Sequence, residues 1–133
     1  MEKYLYHTIM FFSLSLICSC VHLTRSETET LKELKSYGVK TEDAEKIANP
    51  VLAGALNILP GIGNFYLGSG NGADTPQYLY GVGNIICYPF SIAWAVPQAF
   101  IDANTINQRE MVYYYNFDKK GKLKLEELRK TNK

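Results

Sequence analysis

Charged residues disappear from this chain after Lys46. Positions 47–73 carry none, Asp74 interrupts, and positions 75–101 are again uncharged until Asp102. Two such blocks in 133 residues argue for burial, in a membrane or in a partner. The first is broken by Asn57 and by Pro60-Gly61. Its continuous apolar part is about nine residues, roughly 14 Å of helix, or half a bilayer core. The second, Leu79 to Ile101, is about 23 residues, long enough for a transmembrane helix. Asn84, Pro89, Pro97 and Gln98 weaken it. Within it Gly83, Cys87, Ser91, Ala95, Ala99 and Ala103 recur every four residues, and all are small. On one helix such a row forms a groove that lets a second backbone approach, either a membrane-protein partner or another copy of the chain.

The flanking segments are polar and helical in period. Ser26-Glu27-Thr28-Glu29 has capping-box spacing, and Leu31 and Leu34 then share a face. Gly38 closes that helix. Thr41 is a second N-cap candidate, with Glu42 and Asp43 in its first turn and Ala44, Ile47 and Ala48 on one face, before Pro50 kinks or restarts the helix. After Arg109, "MVYYYNF" is rich in strand formers, "DKKG" is a turn, and "KLKLEEL" returns as a strand or begins a helix.

At the N-terminus Lys3 precedes an apolar run, Ile9 to Ile17, of secretory rather than membrane-spanning length. Ile17-Cys18-Ser19-Cys20 resembles the bacterial lipoprotein signal, although Cys18 stands where another small or apolar residue is usual. The resemblance implies cleavage before Cys20, a covalent lipid on its sulfur, and a mature N-terminus outside the cytoplasm in the cell envelope. Cys87 is then the one cysteine left without modification, so neither an intrachain disulfide nor a cysteine metal site is expected.

"PGIGNFYLGSGNG", from Pro60 to Gly72, is the segment that looks most like a site. A nucleotide loop would need a preceding strand or a closing Gly-Lys-Ser/Thr, and no lysine lies between Lys46 and Lys119. Gly61, Gly63, Phe65, Tyr66, Leu67 and Gly68, then Gly81, Trp94 and Asp102, resemble a family of two-transmembrane-helix hairpin domains. Gly63-Asn64 replaces the basic or histidine residue that the family often places before Phe-Tyr, and the interhelix loop is longer. The resemblance implies an architecture rather than an activity: Gly61-Ile62-Gly63-Asn64 and Gly81-Val82-Gly83-Asn84 become two matching turns at a membrane or interface.

Net charge is +1, and basic residues alternate with acidic ones, so no phosphate-binding stripe is present and nucleic acid is not an expected partner. Asn116, Asp118, Lys120, Gly121, Leu123 and Glu127 fall on EF-hand loop positions, but Lys120 puts an ammonium where a calcium ligand belongs. A ligand- or calcium-responsive module at Asn116 to Glu127 is the alternative reading. His7 leaves with the signal and His22 adjoins the lipid, so no catalytic base is expected within a fold, and neither enzyme activity nor a metal or cofactor. Asp74 and Asp102 read as solvated block ends. The tail from Arg109 holds eight basic and four acidic residues, against five and seven between Cys20 and Gln77, which favours a single span over two by the positive-inside rule. A third arrangement, in which nothing spans and both blocks form a compact hydrophobic patch held to the membrane by the lipid, is permitted by the prolines and polar residues.

The expectation is a mainly α protein: a signal over 1–19, a polar helical neck over 20–49, a hydrophobic helical hairpin over 50–104 and a charged tail over 105–133. Membrane lipid is the expected partner, through Cys20 and the hairpin. The turn and packing positions are Gly61, Gly63, Phe65, Tyr66, Gly68, Gly81, Gly83, Ser91, Ala95 and Ala99.

Overall fold

A computed structural model describes residues 21–41, 47–70 and 75–132. The described chain is mainly α and holds six helices: α1 Arg25–Ser36, α2 Pro50–Leu56, α3 Ile62–Ser69, α4 Pro76–Ile86, α5 Ile92–Phe117 and α6 Lys119–Thr131. They divide into an uncharged head and a charged stem, joined through α5. This helix is 26 residues long, about 39 Å at 1.5 Å per residue.

The stem consists of α1, the C-terminal half of α5, and α6. Leu31 and Leu34 of α1 meet Met111, Val112 and Tyr115 of α5 and Leu125 of α6 in one apolar cluster. "MVYYYNF" is therefore helix, not strand. Its strand propensity yields because Met111, Val112 and Tyr115 stand at helical spacing on the buried face, and tertiary packing outweighs a preference of at most about 1 kcal/mol. The α1 capping box lies two residues before the expected one: Thr24 Oγ1 accepts from the Glu27 amide at 3.3 Å, and Glu27 Oε2 accepts from the Thr24 amide at 2.6 Å. Both positions satisfy the pattern. The earlier one also brings Glu27 to Arg109 of α5, 3.8 Å away. Gly38 ends α1 as expected, at φ 79°, with Gly38 N–H bonding Lys35 and Val39 N–H bonding Leu34. Arg129 of α6 grips Glu33 of α1 through two bonds, at 2.7 and 3.0 Å.

The head is built from α2, α3, α4 and the first half of α5; α2 packs on α3 and on α5, and α3 on α4 and α5. Asn49 caps α2, its side chain accepting from the Val51 and Leu52 amides, so Pro50 restarts a helix at N1 rather than kinking one. Leu79 to Ile101 is not one span. The chain turns over positions 87–91, between the end of α4 and the start of α5, and among the described residues no helix is long and apolar enough to cross a membrane. The cause is local: Pro89 lacks the N–H a continuing helix needs, and the Ser91 hydroxyl donates back to the Asn84 carbonyl at 2.7 Å, fastening the turn. Pro97, by contrast, is accommodated inside α5.

Candidate functional site

The two Gly-x-Gly-Asn segments meet at the centre of the head, as helix rather than as the two matching turns expected: Gly61 caps α3, and Gly81 to Asn84 lie inside α4. Gly61 begins α3 at φ 87°, a conformation open to glycine, and a β-carbon there would strike the Gly81 carbonyl. A β-carbon at Gly63 would strike the Ala53 carbonyl and come within 2.8 Å of Asn57 Cγ. At Gly81 it would meet the Phe65 ring at 2.7 Å, and at Gly68 the Tyr78 ring at 2.9 Å. Missing side chains thus let α2, α3 and α4 approach closely enough for their amides to touch.

What they bring together is a chain of buried polar side chains. Asp102 Oδ2 accepts from Gln77 Nε2 at 2.8 Å, and Gln77 Oε1 accepts from Asn64 Nδ2 at 2.6 Å. Asn64 Oδ1 then accepts from Asn57 Nδ2 at 2.8 Å and Asn84 Nδ2 at 3.0 Å. Asn84 Oδ1 accepts from Trp94 Nε1 at 3.0 Å. Asn57 completes its bonding with the Ala95 carbonyl and the Gly63 amide, both at 2.8 Å. Asn57, Asn64, Gln77 and Asp102 have no exposed surface, and Asn84 almost none.

The direction of this chain follows from its end. Both Asp102 oxygens accept, from the Val21 amide and from Gln77 Nε2, so Gln77 turns its NH₂ toward Asp102 and its oxygen toward Asn64. Asn64 must then donate to Gln77 and offer its oxygen to Asn57 and Asn84. One acidic residue orients three successive amides, and each bond strengthens in the low dielectric of the interior. Asp102 is therefore not the solvated block end expected from sequence. At the base of the head a second junction uses Asn107, whose Oδ1 accepts from the Ile47 and Ala48 amides while its Nδ2 donates to the Ala48 carbonyl. Among the described residues, Gln98 Nε2 is buried without a hydrogen-bond partner.

Around this polar interior the outer wall is apolar. Val51, Leu79 and Ile86 are 71, 71 and 72% exposed, and Phe90 is 76% exposed. Ile58, Leu59, Ile85 and Ile101 also face outward. The usual arrangement of a water-soluble bundle is inverted in the head and kept in the stem.

The sequence-derived positions fall unevenly on this site. Gly61, Gly63, Phe65, Gly68 and Gly81 form its close contacts, and Gly83 is buried beside them. Tyr66 accepts the Asn49 amide through its hydroxyl at 3.0 Å, and Ser91 fastens the α4–α5 turn. The small-residue row is interrupted by that turn. Ala95, Ala99 and Ala103 have no exposed surface, and α2 packs along α5, with Gly54 against Val96 and Phe100, so they serve the fold's own packing rather than an outside helix. Cys20, with the signal, lies outside the described residues, as do Glu42, Asp43 and Asp74. The amides of Asn57, Asn64, Gln77 and Asn84 were not anticipated as a site. Their signal was the presence of uncharged polar residues within otherwise apolar blocks.

Asn116 to Glu127 is not a loop. Asn116 lies in the last turn of α5, which ends at Phe117; Asp118 caps α6 by accepting from the Lys120 and Gly121 amides, and Lys119 onward is helical. Gly121 is there because a β-carbon would strike the Tyr114 carbonyl where α6 crosses α5. Among the described residues no three His, Cys, Asp or Glu side chains are placed to hold a metal.

The class that fold and site define is a mainly helical protein with a polar-cored, apolar-walled head on an amphipathic stem. Comparison with known proteins gives no matching family model, no matching curated protein and no matching solved structure.

Proposed function

We propose that this chain is a small lipid-anchored protein of the bacterial cell envelope whose head is immersed in one leaflet of the membrane, and that its work is structural, through interaction rather than catalysis. The observation that carries the reading is the inverted head: exposed Leu, Ile, Val and Phe surround buried Asn, Gln and Asp. In water such a wall is an aggregation liability, whereas in lipid it is the favoured exterior and the polar groups must satisfy one another internally. The head helices α2, α3 and α4 have seven, eight and eleven residues, roughly 10 to 17 Å, close to one leaflet of a hydrocarbon core about 30 Å thick. The charged stem then stays in the aqueous phase.

The amide chain supports a structural role. Side-chain amides do not ionise near neutral pH, and here their donors and acceptors are consumed in holding three short helices to one another and to α5. Alkaline-carbonate extraction of membranes carrying the wild type and Cys20→Ser, with mass analysis of the N-terminus, tests the reading. Acyl mass on Cys20 and retention of the variant in the pellet are expected. Release of the variant into the soluble fraction removes the immersed head, and an unacylated N-terminus removes the lipid.

A further inference from the structure

Val21, the first described residue, is held far from its neighbours in sequence. Its amide donates to Asp102 Oδ1 at 2.9 Å, and its side chain is 6% exposed in the core cluster that includes Ala48, Ala53, Leu67, Ala99 and Ala103. The residues that follow are strapped along α5. The His22 carbonyl accepts from Arg109 Nη2 at 3.1 Å, and Glu27 faces the same guanidinium. The described chain therefore runs beside α5 from Asp102 to Arg109 and begins with Val21 seated at Asp102. That point is the boundary between the two surfaces of the molecule. Asp102 is the first charged residue after the uncharged block, with exposed Phe100 and Ile101 on its head side.

We infer that Asp102 is the receptor for the mature N-terminus: its carboxylate seats the residue following the lipidated cysteine, so that the acyl chains enter the same leaflet as the apolar wall of the head. This rests on the lipid-anchored reading above. One carboxylate then has two tasks. Oδ2 orients the amide chain that holds the head together, and Oδ1 fixes where the lipid begins. The acyl chains start at the plane where the head's apolar surface starts, so the two anchors act at one depth. A flexible tether would leave head insertion independent of the lipid. Asp102 acts here as a positioning residue.

The test uses the mature, lipidated protein, labelled with ¹⁵N-valine, in nanodiscs of phosphatidylethanolamine and phosphatidylglycerol. Val21 and Val112 report on the seat and on the stem in one spectrum. Amide exchange at Val21 is expected to be slowed at least about 10-fold relative to an unstructured chain, the scale of one buried hydrogen bond. A spin label at the lipid headgroup level is expected to broaden the Val21 amide, and brominated acyl chains to quench Trp94, the one tryptophan in the sequence. Asp102→Ala should abolish Val21 protection while Val112 stays protected. If that variant also exposes Val112, Asp102→Asn, which retains an acceptor oxygen, decides: Val21 protection kept supports the seat, and Val21 protection lost with Val112 protected overturns it. Unprotected Val21 in the lipidated wild type, or unchanged Val21 in Asp102→Ala, also overturns it. An N-terminus lacking acyl mass overturns the lipoprotein reading, and the inference about the lipid with it, whatever the exchange result.

Discussion

Asn84 donates its side-chain amide to the Oδ1 of Asn64 at 3.0 Å, and each of these two residues closes a Gly-x-Gly-Asn segment, twenty residues apart. The glycines bring the backbones of α3 and α4 together, and the asparagines use the proximity. Asn64 also receives Asn57 and donates to Gln77, which makes it the branch point of the head.

Asn64→Leu should therefore destabilise strongly. It removes three hydrogen bonds and leaves the Asn84 amide and the Gln77 oxygen buried without their Asn64 partner. At about 1–3 kcal/mol for each orphaned group, a loss of about 3 kcal/mol or more is expected. Asn104→Ala, which removes an exposed bond to the Phe100 carbonyl, should change stability by less than about 0.5 kcal/mol. Reversible unfolding in detergent compares the two, and equal effects would refute the importance of the network.

Gln98→Met should behave in the opposite way. The substitution keeps side-chain length and removes a buried, unpartnered NH₂ group. Stability unchanged or raised, by up to about 1 kcal/mol, is expected in the same assay. A clear loss would mean that Gln98 is engaged in the membrane-bound protein.

Gly63→Ala should cost about 1–3 kcal/mol, because the new methyl group meets the Ala53 carbonyl, part of a helix that cannot move aside cheaply. At Gly70 the nearest atom to a β-carbon is the Tyr66 carbonyl, 3.9 Å away, so Gly70→Ala should be nearly silent. Thermal melts of the two variants give the comparison.

Leu79→Lys with Ile86→Lys separates membrane contact from folding. Both side chains are about 70% exposed, so helix content should survive the change. Each lysine at depth costs about 2.5–3.5 kcal/mol of insertion, less where it can snorkel. Circular dichroism unchanged, with reduced flotation of the Cys20→Ser background on liposomes, is the expected pair of results. Undiminished flotation would place this wall outside the lipid.

The stem carries a pH dependence. The Arg129 guanidinium, bonded to both Glu33 oxygens, holds that carboxyl below its ordinary value near 4.5, against a smaller opposing effect of burial. A lowered folded-state pKa means that the contribution is complete above about pH 4.5 and is lost as pH falls through the folded value. The pair is partly exposed, so the effect is small and screened by salt. Melting temperature measured from pH 6 to 3 should fall less steeply in Glu33→Gln than in the wild type, and parallel curves would argue against the bond.

The elements written locally were legible in the sequence. The uncharged blocks marked out the head, Leu31 and Leu34 the buried face of α1, and Gly38 the end of that helix, because each depends on residues within one or two turns. The same local signals misled where two readings competed. Thr24 and Ser26 both begin a capping box, and the first is the one used, where Glu27 also meets Arg109 of α5. "MVYYYNF" has strand composition, and only the facing leucines of α1 and α6 make it helix.

The apolar wall was visible as composition, but its meaning depended on what lay behind it. Asn57 and Asn84 read as flaws in apolar blocks, and Asn64 and Gln77 drew no notice, because a linear sequence shows each amide without its partner. Satisfying a buried polar group requires a partner in three dimensions, and here the partners lie seven to twenty-five residues apart along the chain. The extent of the uncharged blocks, the buried face of α1 and its end at Gly38 were thus settled by the sequence itself, through short-range sterics and solvation. The inversion of the head, the pairing of the two Gly-x-Gly-Asn segments and the seating of Val21 on Asp102 were decided by tertiary structure, where long-range hydrogen bonds replace the water that the polar groups give up.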